Sequence, residues 1–158
     1  MIRLFLILAC VLGFGCRKDS PTSFQETELP VVMITQTNYH QSDVQSMVPD
    51  QVMLNHCVDL YKGSYTDGLK SSMNTSMLLK ATRLGLDVNS LTACMNATGQ
   101  MQPGLVSLPY RVERAQYDST ESWVMEFTWG MTPDDLGHYR CFVMDAATAD
   151  TLLFITCR

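Results

Sequence analysis

Residues 122–129 read Ser-Trp-Val-Met-Glu-Phe-Thr-Trp, and their alternation decides the fold class. Trp123, Met125, Phe127 and Trp129 fall on one face of an extended chain; Val124, Glu126 and Thr128 fall on the other. The segment predicts a strand whose aromatic and methionine face packs on a core. Each of those four side chains contributes roughly 2 kcal/mol on burial. Upstream, Tyr110 to Tyr117 is also strand-like and can pair with Ser122–Trp129 across Asp118-Ser119-Thr120. Downstream, Gly130 to Gly137 contains Pro133 and two aspartates and reads as a connection. His138–Asp145 and Thr151–Cys157 then predict a second hairpin around residues 146–150.

Further upstream the period becomes helical. Pro49 suits a first helical turn, and Met53, Cys57, Leu60 and Tyr61 share one face before Gly63. Ser42 to Val48 can add a preceding turn. A second helix is expected over Asp67–Leu84, with Leu69, Met73, Met77, Ala81 and Leu84 on its apolar face and Gly85 as the stop. A short third helix follows, capped by Asn89, with Leu91, Cys94, Met95 and Thr98 on a face before Gly99. Residues 99–109 carry Pro103, Gly104 and Pro109 and predict a loop. Val31 to Thr35 is apolar and β-branched; it fits a strand, or a plug for the helical layer. Segregation of helical and strand periods predicts an α+β fold, with three N-terminal helices packed on a C-terminal antiparallel β-meander of about four strands.

The 158-residue chain carries 11 Lys+Arg against 16 Asp+Glu. It has no basic run, so nucleic acid is a poor partner. Its start has a different character from the rest. Arg3 precedes an apolar run from Leu4 to Leu12, and Gly13 and Gly15 stand at the −3 and −1 positions before Cys16. That order describes a secretory signal peptide, and the run is too short for a bilayer span of about 20 residues. The stretch Leu12-Gly13-Phe14-Gly15-Cys16 resembles the lipobox of bacterial lipoproteins, with Gly where that family usually has Leu. The resemblance implies that Cys16 is lipidated and becomes the mature N-terminus. An alternative box, Ile7-Leu8-Ala9-Cys10, leaves too short an apolar region. The competing reading is an ordinary signal peptide cut after Gly15. The domain division is therefore 1–15 signal peptide, 16–29 flexible tether and 30–158 folded domain. A polar tether of that length reaches roughly 20 Å as a coil.

Four cysteines follow Cys16: Cys57, Cys94, Cys141 and Cys157. An even number in an exported chain favours disulfides, and the wide spacings disfavour zinc. The helix and strand reading pairs Cys57 with Cys94 and Cys141 with Cys157. The second pair needs a bulge or wide loop, because a tight turn places Cys141 nearer Ile155.

Candidate chemistry is sparse. His56 and Cys57 are adjacent, yet helix neighbours do not face one another. Asp134, Asp135 and His138 form an acidic and imidazole cluster, in a Thr-Pro-Asp-Asp stretch that also suits a tight turn. Glu113, Glu121 and Glu126 offer a carboxylate pair of the glycosidase kind, although alternating strand positions more often face solvent. The eleven methionines fit core filling better than a soft-metal chain. Asn74-Thr75-Ser76 and Asn96-Ala97-Thr98 match the glycosylation sequon. No catalytic residue, metal site or cofactor is assigned. The expectation is a membrane-anchored exported protein with a non-enzymatic binding or structural role. Its partners would be the membrane, through a lipid on Cys16, and an envelope protein. The alternative is a secreted, disulfide-stabilised ligand-binding or inhibitor module.

Overall fold

The computed structural model describes residues 28–46 and 51–157. The signal peptide, Cys16 and almost all of the expected tether lie outside the described residues, as does Pro49. The elements run β1 (Val31–Tyr39), α1 (Gln41–Ser46), α2 (Gln51–Tyr61), α3 (Asp67–Arg83), α4 (Val88–Ala97), β2 (Ser107–Tyr117), β3 (Thr120–Trp129), β4 (His138–Asp145) and β5 (Thr151–Cys157). The fold is α+β. Three details of the expectation are corrected. Among the described residues a strand precedes the helices, the helices number four rather than three because α1 is a separate short helix, and the sheet has five strands in the order β1-β2-β3-β4-β5. β2 to β5 form the expected antiparallel meander, whereas β1 joins β2 in parallel, making the sheet mixed. A parallel pair needs a long crossover, and here the four helices supply it.

Local chemistry explains most boundaries. Thr66 Oγ1 accepts the Leu69 N–H at the start of α3, and Asp67 lies in its positive first turn. Asp87, not Asn89, caps α4 by accepting the N–H groups of Asn89 and Ser90. Gly85 takes a positive φ of 71° just past α3, a conformation that costs glycine little. The β2–β3 turn is tighter than expected. Asp118 and Ser119 both take positive φ, and Thr120 already pairs with Tyr117.

β3 is buried from Ser122 to Trp129, so both of its faces are covered. Trp123, Met125 and Phe127 pack with Phe142 and Met144 of β4 and with Met77, Ala81, Leu91, Cys94 and Met95 of α3 and α4. Val124, on the opposite face, packs with Cys141 and Val143 and with Val44, Leu54, Cys57 and Met73. The expectation of a single helix-covered face is therefore incomplete. Methionines do fill the core, with Met73, Met77 and Met125 buried. Leu60 and Leu84, assigned above to apolar helix faces, are exposed instead.

The sheet also separates the cysteines. Cys57, Cys94 and Cys141 are buried and unbridged. Cys57 belongs to one core cluster and Cys94 to the other, so the sheet lies between the two helical cysteines expected to pair. In the last hairpin Cys141 faces Ile155, while Cys157 stands opposite Tyr139. A bulge does occur there, at Leu152, but it does not bring Cys157 opposite Cys141. Bridging needs Cα atoms within about 7 Å, and diagonal neighbours two residues apart lie at or beyond that limit.

Candidate functional site

The densest polar chemistry lies inside the fold, on the sheet face that also carries Val124. A bulge in β2 pairs Pro109 with Phe127 and Arg111 with Glu126, leaving Tyr110 as the extra residue. It brings two consecutive side chains to one carboxylate. Tyr110 donates its hydroxyl to Glu126 Oε2 at 2.7 Å, and Arg111 donates to Glu126 Oε1 at 3.3 Å. Two residues along the same face, Glu113 Oε2 accepts the other Arg111 terminal nitrogen at 2.8 Å. Glu113 Oε1 accepts the hydroxyls of Tyr39 at 2.9 Å and Thr35 at 2.5 Å, both from β1. Glu113 and Glu126 are only 1% and 2% exposed.

Two buried carboxylates thus share one guanidinium. Burial alone disfavours the Arg111 charge, yet Glu126 and Glu113 beside it hold its pKa above the ordinary guanidinium value. Burial and the Glu126 carboxylate push the Tyr110 phenol far up. Burial, with the Glu113 hydrogen bond, pushes Tyr39 up to about 12. Both phenols therefore stay protonated and donate at ordinary pH. Every carboxylate oxygen of the pair is engaged by a side chain of the fold, and the arrangement pins β1 to β2. It is built to hold charge, whereas a glycosidase pair must face a sugar with free oxygens.

The structure divides the remaining candidates. Glu121 is exposed and pairs with Arg114 at 3.0 Å, so it does not join Glu113 and Glu126. His56 is half-buried beside a Cys57 thiol that burial pushes up to about 12, well away from a reactive thiolate. Burial also raises Cys94 to about 11 and Cys141 to about 12. Asp135 accepts the Met131 N–H at 3.1 Å and lies 3.3 Å from His138 Nε2. Its carboxyl is held below the usual range, first by that N–H and then by His138. Asp134 sits with it in a 3-10 helical turn, Pro133–Asp135. Among the described residues, no group of three or more His, Cys, Asp or Glu could hold a metal ion. Nor, among them, is any helix long and apolar enough to cross a membrane.

Sequence reasoning missed Arg111, Tyr110, Tyr39 and Thr35. The available signal was Tyr110-Arg111-Val112-Glu113, which sets opposite charges two residues apart on one strand face. A second feature appears only in three dimensions: the edge strand β5 leaves Leu152 and Phe154 exposed, with Phe154 tilted over Phe142 at a centroid distance of 4.7 Å. No family model, curated protein or solved structure matches the chain.

Proposed function

We propose that this protein is a small exported lipoprotein, anchored through Cys16, whose single domain has a non-enzymatic binding or structural role at a membrane surface. The observation that carries the reading is the order of the first sixteen residues: one arginine, an apolar run, two small residues and a cysteine. The domain supports it in two ways. Lys80 Nζ donates to the carbonyls of Glu28 at 2.5 Å and Pro30 at 3.0 Å, tying the start of β1 to α3 just where the tether would end. The apolar side chains on the β5 edge are a surface of the kind that protein partners cover.

The test is expression in a bacterial host fed labelled palmitate, followed by mass analysis of the membrane fraction. The wild-type chain should carry label and a diacylglyceryl group on an N-terminal Cys16, and Cys16→Ser should abolish both. The alternative, a secreted ligand-binding or inhibitor module, predicts an unmodified Cys16 in the soluble exported fraction. Recovery of the uncleaved chain in the cytoplasm would rule out both.

A further inference from the structure

The sheet has two edges, β1 and β5, and they are finished differently. β1 loses register with β2 between Ile34 and Asn38, an irregularity that spoils a strand as a pairing template. β5 keeps register with β4 without a break from Leu153 to Cys157, its bulge lying before that run at Leu152. Its sequence, Thr-Leu-Leu-Phe-Ile-Thr-Cys, contains neither charge nor proline, the side chains that normally keep an edge from pairing. Among the described residues no strand lies beyond it, and Thr151, Leu152, Phe154 and Thr156 are exposed. An aromatic ladder also ends there. Phe127 meets Phe142 edge to face with ring centroids 5.9 Å apart, and Phe142 meets Phe154 at 4.7 Å. Exposure climbs along the ladder from 1% at Phe127, through 8% at Phe142, to 47% at Phe154, so its last ring opens to solvent.

We propose that β5 is a docking edge for a second copy of this chain, paired antiparallel about a two-fold axis at Phe154. Charge and side-chain symmetry choose that occupant. The chain carries 16 Asp+Glu against 11 Lys+Arg, a net charge of −5, so copies repel unless they meet through a neutral surface, and β5 is one. A partner recognised by charge would find nothing on β5 to read. Antiparallel pairing of Phe154 with the partner's Phe154 sets Leu153 opposite the partner's Ile155 and Leu152 opposite the partner's Thr156. Every pair in the run is then apolar or hydroxyl-bearing. The two Phe154 rings would join the two aromatic ladders into one. Backbone groups on the edge would gain partners, and the two sheets would become continuous through an isologous interface closed by its own symmetry. β5 is seven residues long, a span of about 23 Å, which places the pair among small interfaces below about 1,200 Å² that associate weakly and reversibly. The proposal deepens the binding role above by naming the partner, and it needs no lipid on Cys16.

The test is disulfide cross-linking of the full chain carrying Cys157→Ser and one added cysteine, oxidised in whichever cell fraction holds it and separated without reductant. Phe154→Cys should give a homodimer, because residues opposite each other in an antiparallel pair have Cα atoms about 4.5–5.5 Å apart, within bridging range. Thr156→Cys should give at least about tenfold less, because the axis sets the two 156 positions about 14 Å apart. The parent with Cys157→Ser alone supplies the baseline for links through Cys16. Sedimentation of the wild-type chain, in detergent if it is anchored, should show a monomer–dimer equilibrium with a Kd of about 1–100 μM. Phe154→Lys, which opposes two ammonium groups at the axis, should weaken that equilibrium at least about tenfold. Should Phe154→Lys fail to fold, the two cysteine variants decide. The proposal is overturned if the wild-type chain stays monomeric up to about 1 mM, if Phe154→Cys links no better than Thr156→Cys, if folded Phe154→Lys dimerises as the wild type does, or if the linked product contains a different protein. Labelled palmitate scores the lipid on Cys16 separately, so either proposal can fail alone.

Discussion

The two faces of β3 are both buried, yet they are held by different physics. On one face Trp123, Met125 and Phe127 meet methionines and leucine of α3 and α4, contacts without direction that tolerate adjustment. On the other, Glu126 sits within a directed set of bonds that includes Arg111, Tyr110, Glu113, Tyr39 and Thr35. The apolar face supplies cohesion through area removed from water. The polar face is selective, because a slipped strand register would leave buried charge unpaired. In particular, Thr35 and Tyr39 of the neighbouring strand β1 both donate to Glu113, so the polar face specifies where that strand docks.

This contrast can be broken most forcibly at Arg111. Arg111→Met leaves two buried carboxylates facing each other and should destabilise the protein by about 3–5 kcal/mol in urea unfolding. Adding Glu113→Gln and Glu126→Gln to that variant should recover about 2 kcal/mol or more, because the buried charge is then removed with its partner. No recovery would mean that the network is held by shape alone.

Phe127→Ala on the apolar face should cost about 3 kcal/mol, the low end for a phenylalanine, because Met77, Met125 and Met144 can relax into the space. Tyr39→Phe should cost about 1 kcal/mol at neutral pH, since Glu113 keeps Thr35 and Arg111. Its signature is alkaline. The folded pKa of Tyr39 is raised to about 12, so the folded state holds its proton more tightly than the unfolded chain does. The stability linked to Tyr39 is whole below the unfolded value of about 10 and declines as pH rises toward about 12. Urea midpoints compared at both ends of that window should fall less in Tyr39→Phe than in wild type. Met125→Leu, a volume-conserving change on the tolerant face, should cost less than about 1 kcal/mol.

The same contrast explains what could be read without a structure. The hairpins β2–β3 and β4–β5 were legible, because residue alternation and turn chemistry are encoded within a few positions. The apolar face of β3 was legible for the same reason. Glu126 and Glu113 were not, since alternation says that they share the face opposite Trp123 but not whether another layer covers it. The disulfide expectation failed on a related point. Cys57 and Cys94 were rightly placed on apolar helix faces, but a shared apolar pattern does not say which side of a sheet each helix takes. Nothing in the helical period marks Lys70, whose ammonium finds the carbonyls of Gln102 and Leu105 only when the segment after α4 folds back onto α3.

The sequence by itself determined the helical and strand periods, the glycine stop at Gly85 and the α+β class, all of which rest on short-range patterns. Only the tertiary structure decided that Val31–Tyr39 adds a parallel edge strand, that Arg111 is shared by two buried glutamates, and that the sheet divides Cys57 from Cys94. Each of these depends on segments tens of residues apart meeting across the helical crossover. Local propensity carries no term for such meetings; burial, charge pairing and close packing do.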